Sequence, residues 1–177
     1  DLDDHPGRAL LVITSRLEAQ KGMNLLENAR EQMMERNVAL VIVSTGMRRY
    51  TEISRRMTEL FPGRVAFAEE TGNTQLVHRA IAAADIILLP SEYEPCGLWQ
   101  FVAMRYGTLP LAHKTGGLAD SIADEVNGFL FEEYREQAFI AALDRALSAF
   151  GDKSRWLALQ QTAMKQDWSW SNSARHY

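Results

Sequence analysis

Cysteine and long apolar runs are scarce in this chain of 177 residues. A single cysteine excludes an internal disulfide and is typical of a reducing compartment, which we expect to be the cytoplasm, or a plastid in a plant or alga. No apolar run approaches the ~20 residues that a membrane-spanning helix needs. Positive charge is not in excess either, because the formal net charge is −4. We therefore expect neither nucleic acid nor a membrane as a partner.

The sequence also lacks internal repeats, low-complexity segments and a starting methionine. It is 46% hydrophobic and 24% charged, as ordinary globular domains are, and its length suffices for one sizeable core. The opening letters DLDD resemble an acidic metal-binding cluster, but acidic chain ends are usually flexible, and we predict no metal site. Because the chain begins without Met or an apolar signal region, we expect a piece cut from a longer protein.

What the sequence does contain is a regular alternation of short apolar runs and helical patterns. The apolar runs, which read as strands buried on both faces, are residues 9–14, 39–44, 64–68, 86–90 and 108–112, with 127–131 as a sixth, edge strand. The helical patterns cover residues 23–35, 49–61, 74–84 and 98–106, and a further helix runs through Phe139, Leu143, Leu147 and Phe150 and ends at Gly151. This alternation predicts a doubly wound α/β fold with a parallel sheet of about six strands.

The segments that follow the predicted strands carry most of the polar chemistry. Ligands of open α/β sheets bind outside the carboxyl ends of the strands. Backbone N–H groups at helix starts, with Arg and Lys beside them, are suited to phosphate. The residues of this kind are Arg16 and Lys21 after the first strand, Thr45 and Gly46 after the second, Glu94, Cys96 and Gly97 after the fourth, and Thr115, Gly116 and Gly117 after the fifth. The sequence therefore predicts a phosphate-binding pocket at one edge of the sheet.

Each of these residues also has an ordinary structural explanation. Arg16 and Lys21 taken alone fit solvated surface charges, and Glu94 fits an exposed loop acid. A Gly-Gly pair fits a plain turn. Cys96 fits a small packing residue better than a nucleophile, because the sequence shows no Cys–His motif. The joint pattern favours a pocket, since every candidate falls on the same predicted edge.

Several segments resemble the glycogen and starch synthases in order and spacing. They are SRLEAQKG, HRAIAAAD, PSEYEPCGLWQ, AMRYGTLP, KTGGLADS and the closing WSWSNSARHY. The resemblance covers nearly the whole chain, but it matches only the C-terminal half of these two-domain glycosyltransferases of the GT-B type. It implies a Rossmann-like nucleotide-sugar-binding domain over residues 1–165 and a tail, 166–177, that runs toward an absent N-terminal domain.

The resemblance also implies a reaction and a set of site residues. The reaction is transfer of glucose from ADP-glucose or UDP-glucose to the non-reducing end of an α-1,4-glucan, with retention and without a metal or cofactor. The implied catalytic residues are Arg16 and Lys21, which would hold the diphosphate, and Glu94, which would accept hydrogen bonds from glucose. The implied nucleotide-sugar-binding positions are Gly46, Ile81, Cys96, Gly97, Leu98, Thr115, Gly116 and Gly117. The isolated domain is expected to be inactive, because the α-glucan acceptor would bind the missing domain.

Four positions depart from the family pattern. Ile81 stands where an aromatic residue is usual, Met47 where an acid is usual, and Trp99 where a threonine is typical. Val102 replaces a glutamate that many retaining relatives carry. These departures leave the identity of the base open. They also keep a second reading open, a non-catalytic paralogue that binds or regulates α-glucan synthesis. An unrelated α/β nucleotide-binding module ranks last.

Overall fold

The computed structural model of the chain describes residues 2–3, 5–70, 72 and 74–175, and it contains one six-stranded sheet. All neighbouring strands are parallel, in the order β3-β2-β1-β4-β5-β6. The strands are β1 Ala9–Ile13, β2 Val38–Ser44, β3 Val65–Glu69, β4 Ile86–Leu89, β5 Leu109–His113 and β6 Phe129–Phe131. The predicted six-stranded parallel sheet is therefore confirmed, with strand ends shifted by one or two residues. β6 is an edge strand, as expected.

Helices connect the strands. They are α1 Met23–Met34, α2 Arg48–Leu60, α3 Thr74–Ala83, α4 Trp99–Tyr106, α5 Gly116–Ser121, α6 Glu136–Gly151, α7 Lys153–Lys165 and α8 Trp170–Ala174, with one 3₁₀ turn at Ala19–Lys21. The sequence-based prediction contains neither α7 nor α8. Within the described ranges, none of the helices combines the length and the apolarity needed to cross a bilayer.

Helix α7 begins at a capping residue and is anchored by a tryptophan. The Asp152 side chain accepts hydrogen bonds from the backbone N–H groups of Ser154 and Arg155, both at 3.1 Å, which satisfies two of the free donors of a helix start. Trp156 is buried and stacks on Phe129 of β6, with ring centroids 6.4 Å apart. α7 therefore belongs to the domain. It ends at Lys165, and residues 176 and 177 of the tail lie outside the described residues.

The strands carry continuous apolar runs because both faces of the sheet are covered. Successive side chains of a strand point to opposite faces, so a strand is buried throughout only when both faces are packed. All four residues of β4 and all five of β5 are buried. Edge strand β3 is the exception, since only Val65 is buried there. The core is thus centred on the middle strands, and their carboxyl ends emerge together at one edge.

Two loops at that edge pack without intervening side chains. The backbone N–H of Gly117 in α5 donates a hydrogen bond to the carbonyl oxygen of Glu94 at 3.0 Å. A Cβ atom at Gly117 would lie 2.0 Å from the carbonyl oxygen of Cys96, far inside contact distance. Only glycine permits this approach. The loop after β4 is therefore held against the start of α5.

The opposite edge of the sheet holds a partly buried carboxyl group. Asp85 precedes β4, and its Oδ2 accepts a hydrogen bond from the backbone N–H of Leu10 at 2.8 Å. Its own backbone N–H donates to the carbonyl of Leu10, and its carbonyl accepts from the N–H of Leu109. Burial raises the pKa of the Asp85 carboxyl above its ordinary value of 3.8, and the bond from Leu10 lowers it by less. Asp85 thus joins the starts of β1, β4 and β5, and its charge is partly desolvated.

Asp85→Asn is expected to raise the thermal midpoint at pH 7, because asparagine can accept the Leu10 bond without burying a charge. A raised pKa means that the folded state opposes ionisation, so the cost is present above the folded pKa and absent below 3.8. The gain should therefore shrink as the pH falls from 7 toward 4. Circular dichroism melts across this range measure it, with Asp120→Asn, an exposed carboxylate, as the control. A lower midpoint at pH 7 would contradict the argument.

Gly117→Ala is expected to destabilise the chain by about 1–3 kcal/mol, the usual cost of forcing a methyl group into packed structure. The matched control is Gly151→Ala, because a Cβ at Gly151 meets no atom within 4 Å and that residue ends a helix. Urea unfolding of both variants gives the free energies. Equal stability of the two would show that the loop after β4 yields easily.

Candidate functional site

The main cleft lies where the strand order reverses. The connections from neighbouring strands β1 and β4 diverge, because β1 leads to β2 on one side and β4 leads to β5 on the other. Ligands of open α/β sheets bind at such a switch point. The loops after β1 and β4 enclose a cleft of about 490 Å³ there, which we call the switch-point cleft. Its lining includes Arg16, Lys21, Ser91, Glu94, Gly97, Leu98, Trp99 and Gln100.

Lys21 and Glu94 face each other across the switch-point cleft. Lys21 Nζ lies 2.5 Å from Glu94 Oε2, and the two side chains are 22% and 16% exposed. Ser91 Oγ donates to the same carboxylate oxygen at 3.4 Å. An ammonium group has three donors and a carboxylate has several lone-pair sites, so both groups retain capacity for a ligand. The pair brings a cation and an acceptor to adjacent positions in one cleft.

The two loops of the cleft are joined to each other by their backbones. The backbone N–H of Glu92 donates to the carbonyl of Gln20 at 2.9 Å, and Gln20 Nε2 donates to the carbonyl of Tyr93 at 3.3 Å. The loops therefore form a single wall rather than two independent segments.

Arg16 is held between β1 and β2 while its side chain stays exposed. The N–H of Leu17 donates to the carbonyl of Thr45 at 3.0 Å, and the N–H of Met47 donates to the carbonyl of Leu17 at 2.8 Å. Ser44 Oγ donates to the carbonyl of Ser15 at 2.7 Å. These bonds fix the backbone on both sides of Arg16. Its guanidinium group is left available to a ligand at the rim.

A second, smaller cleft adjoins the first on the side of β2. It measures about 250 Å³, and we call it the side cleft. Its lining includes Thr14, Val43, Ser44, Thr45, Glu70, Thr74 and Val77. Arg16 and Trp99 line both clefts. The two spaces are therefore neighbours that share one wall.

Buried polar groups fix the loop that leads into α4. Gln100 is fully buried, and its Nε2 donates to the carbonyl of Cys96 at 3.1 Å and to Ser121 Oγ at 3.4 Å. Ser121 Oγ in turn donates to the carbonyl of Gly117 at 2.5 Å. Gly97 has φ +73°, which favours glycine. Among the described residues, no side chain caps the start of α4, so its first N–H groups are free to meet an anion.

His113, at the end of β5, supports the same loop from behind. Its Nδ1 lies 2.8 Å from the carbonyl oxygen of Ser91. Because a carbonyl oxygen only accepts, Nδ1 must carry the proton. The ring is buried against Phe131 and Tyr134, with centroids 5.3 and 5.1 Å away. His113 thereby fixes the residue whose hydroxyl contacts Glu94.

The structure brings most of the predicted site residues together. Arg16, Lys21, Glu94, Gly97 and Leu98 line the switch-point cleft, and Leu98 is 70% exposed. Five other predicted positions are not part of this lining. Cys96 contacts Gly117, Gly116 closely approaches the carbonyl of Glu94, Thr115 precedes α5, and Gly46 bridges to Leu17, the residue after Arg16.

Ile81 is a correction to the predicted set. We expected it at the nucleotide site, but its side chain is fully buried in the core. Its carbonyl oxygen accepts a hydrogen bond from the buried Thr108 Oγ1 at 2.6 Å. α3 turns this position toward the sheet, so the side chain offers no surface to a ligand.

Sequence reasoning missed Ser91, His113 and Gln100, and it left the position of Trp99 undecided. Their contacts join segments distant in the sequence, so spacing alone could not show them. In the described part of the chain, no group of three or more His, Cys, Asp or Glu side chains is arranged to hold a metal ion.

A larger cavity lies elsewhere among the described residues. It measures about 620 Å³ and is formed by α3, α4, the end of α7 and the segment that follows it, with Phe101, Tyr106 and Trp168 in its lining. None of the site residues predicted from the sequence lines it. The smaller switch-point cleft has the paired charges, the free helix start and the position at the strand ends. We therefore take the switch-point cleft as the candidate functional site, although its volume is smaller.

Comparison with known proteins identifies the family. The model of the family described as glycosyl transferases group 1 matches residues 3–156. A glycogen synthase of Thermodesulfovibrio yellowstonii is 38% identical over 168 residues, which are 95% of this chain and 34% of that protein. A glycogen synthase of Kosmotoga olearia is 40% identical over 171 residues, covering 93% of this chain and 36% of that protein.

A solved structure agrees with the sequence relatives. The catalytic domain of starch synthase IV from Arabidopsis thaliana, bound to ADP and acarbose, superposes with a TM-score of 0.90 at 34% identity and covers 99% of this chain and 38% of that one. This chain therefore spans about a third of the length of the relatives that it matches. The family model, the sequence relatives and the superposed structure all point to the same family. The chain belongs to the glycosyl transferases group 1 family.

Proposed function

We propose that this chain is the donor-binding domain of a retaining glucosyltransferase of the glycogen and starch synthase type. Its donor would be ADP-glucose, or UDP-glucose, and its acceptor the non-reducing end of an α-1,4-glucan. The observation that carries the proposal is the convergence of Arg16, Lys21 and Glu94 in one cleft at the switch point. The relatives named glycogen synthase and the ADP-bound starch synthase support the same activity.

The cations of the cleft suit the diphosphate of the donor. Arg16 presents a planar fork of donors and Lys21 a compact point charge, a combination that binds phosphate oxygens from two directions. The free N–H groups at the start of α4 add a third direction. When the bond from glucose C1 to the diphosphate breaks, negative charge grows on the leaving oxygen. Donors that are already in place for that charge lower the barrier by roughly 3–4 kcal/mol each.

Glu94 suits the sugar. A carboxylate accepts hydrogen bonds only, and the hydroxyls of glucose can donate them. Since Glu94 Oε2 lies 2.5 Å from Lys21 Nζ, the sugar would begin where the diphosphate ends. The backbone at Gly97 presents no side chain to the sugar, which permits a close approach.

The acceptor would bind a part of the enzyme outside this chain, as would the groups that complete the reaction. We therefore propose that the chain alone binds the donor and transfers no glucose, and that the whole enzyme acts in the cytoplasm.

A second candidate function is a non-catalytic relative that binds or regulates α-glucan synthesis. It is favoured by Trp99, a bulky residue that lines the switch-point cleft where a threonine is typical. Turnover separates the two candidates. An enzyme that contains this chain and the remaining two thirds found in its relatives should extend a glycogen primer from ADP-glucose or UDP-glucose, whereas a binding-only relative should bind donor and leave the primer unchanged.

The first prediction from this function concerns the phosphate-binding cations. Calorimetric titration of the chain should show binding of ADP and ADP-glucose, and Arg16→Ala should weaken both about 10-fold or more, the usual loss for a charge-assisted hydrogen bond. Lys21→Ala should cost more, because Glu94 would then face the diphosphate without a neutralising partner. Lys153→Ala, an exposed cation at the start of α7, is the control.

The function fails this test if no nucleotide binds at millimolar concentration. It also fails if both cation variants bind as tightly as the control.

The second prediction separates sugar recognition from phosphate recognition. Glu94→Gln should leave ADP affinity unchanged or slightly higher, because it removes a negative charge beside the diphosphate. It should abolish most of the additional affinity that glucose confers when ADP-glucose is compared with ADP. Glu92→Gln, an exposed carboxylate on the same loop, is the matched control. A loss of ADP affinity in Glu94→Gln that equals the loss of ADP-glucose affinity would remove Glu94 from the sugar site.

A further inference from the structure

Trp99 occupies the boundary between the two clefts. It is the first residue of α4, and it lines the switch-point cleft and the side cleft, as Arg16 also does. No other residue of the described chain is shared by both linings. A ligand that extends from one cleft to the other would therefore pass alongside Arg16 and Trp99.

The proposed donor has that extended shape. Its diphosphate separates the sugar from the nucleoside, so a sugar beside Glu94 and a diphosphate at Arg16 direct the nucleoside toward the side cleft. This step rests on the proposed function, since it takes Arg16 as the diphosphate contact. It requires the base to approach Trp99.

The lining of the side cleft suits a planar base with a polar edge. Val43 and Val77 supply apolar surface, while Thr45 and Thr74 supply hydroxyl groups. Thr14 Oγ1 is buried there and, within the described residues, has no hydrogen-bond partner. Aromatic side chains are the usual platforms for the faces of bases. Trp99 is the only aromatic residue in the described lining of this cleft.

The indole is held in place by its neighbours. Trp99 packs against the core, and its ring meets that of His78 at 6.3 Å between centroids and 66° between planes. His78 is itself fixed by Tyr106, whose hydroxyl lies 3.1 Å from His78 Nδ1. A ring that is already oriented loses little freedom when a base packs against it.

We infer that Trp99 is the base-contacting and specificity-determining residue of the donor site, and that it favours adenine over uracil. A purine presents a larger face to the indole than a pyrimidine does, so stacking should separate ADP from UDP. Arg16 and Trp99 then contact different parts of the nucleotide: the guanidinium group contacts the diphosphate, and the indole contacts the base.

The test compares three ligands and three variants. Calorimetry with ADP, UDP and inorganic pyrophosphate is applied to the unmodified chain, Trp99→Ala, Trp99→Phe and Arg16→Ala. Trp99→Ala should bind ADP about 10-fold more weakly and UDP about threefold more weakly, with pyrophosphate affinity unchanged. Trp99→Phe should retain ADP affinity to within about threefold. Arg16→Ala should weaken all three ligands.

A fluorescence titration makes the contact directly visible. ADP should quench tryptophan emission of the unmodified chain, and pyrophosphate should not. The quenching should be absent in Trp99→Phe, although that variant still binds ADP. Quenching of equal size in Trp99→Phe would assign it to another of the four tryptophans and overturn the inference.

The outcomes distinguish this inference from the proposed function. If Trp99→Ala binds ADP as tightly as the unmodified chain or more tightly, the indole is no base contact and the inference falls, while the loss in Arg16→Ala still supports the proposed function. If Trp99→Ala also loses affinity for pyrophosphate, the substitution has collapsed the cleft. The fluorescence of Trp99→Phe then decides: absence of ADP quenching supports the inference, and quenching of equal size overturns it. If the unmodified chain binds none of the three ligands, the proposed function itself fails.

Discussion

The whole arrangement depends on the parallel direction of the strands. Because every strand of the sheet runs the same way, the carboxyl end of every strand and the loop that follows it emerge at one edge. The reversal of strand order between β1 and β4 then opens a gap between two of those loops. The ion pair of Lys21 with Glu94 crosses that gap, and the backbone bond from Gly117 to Glu94 secures it from the other side. The parallel strands, the switch point between β1 and β4, and the two bonds to Glu94 together bring separate loop residues into one cleft.

Behind the cleft, buried polar groups do the positioning. Gln100 bonds the loop before α4 to α5, and His113 bonds the loop after β4 to β5. Neither side chain is aimed at bulk solvent, since both are buried. Gln100 Nε2 and His113 Nδ1 are each paired with neighbours, and a buried donor that is paired resists other geometries, because they would leave it unpaired in a low dielectric. The charged groups of the cleft can therefore remain exposed to a ligand without becoming mobile.

The sequence was sufficient to predict the sheet and to place several candidate residues at one edge of it, and the reasons are specific. Strands buried on both faces read as unbroken apolar runs, so β4 and β5 were predictable. Residues that follow strands must lie at the edge, so Lys21 and Glu94 were predictable as neighbours despite their separation in the chain. The placement of the Ile81 side chain at the cleft was wrong, because a position in a helical motif does not reveal which way the helix faces. α7 was missed, although Asp152 before its first turn was a recognisable capping signal. Trp99 and His113 depend on distances through the fold, which no local pattern contains.

The pairing of β1 with β4 has a consequence for how this chain acquires its shape. β1 pairs with β4 on one side, yet Asp85, the residue just before β4, is 75 positions from its hydrogen-bond partner Leu10. Closing so long a segment costs conformational entropy before the contact repays it, and folding is slow where such non-local pairs dominate. The two halves of the cleft lie on those two strands. During synthesis, the emerging polypeptide can therefore form β1, α1 and β2 before the second wall of the cleft exists, so any ligand of the cleft can stabilise only the late stages of assembly.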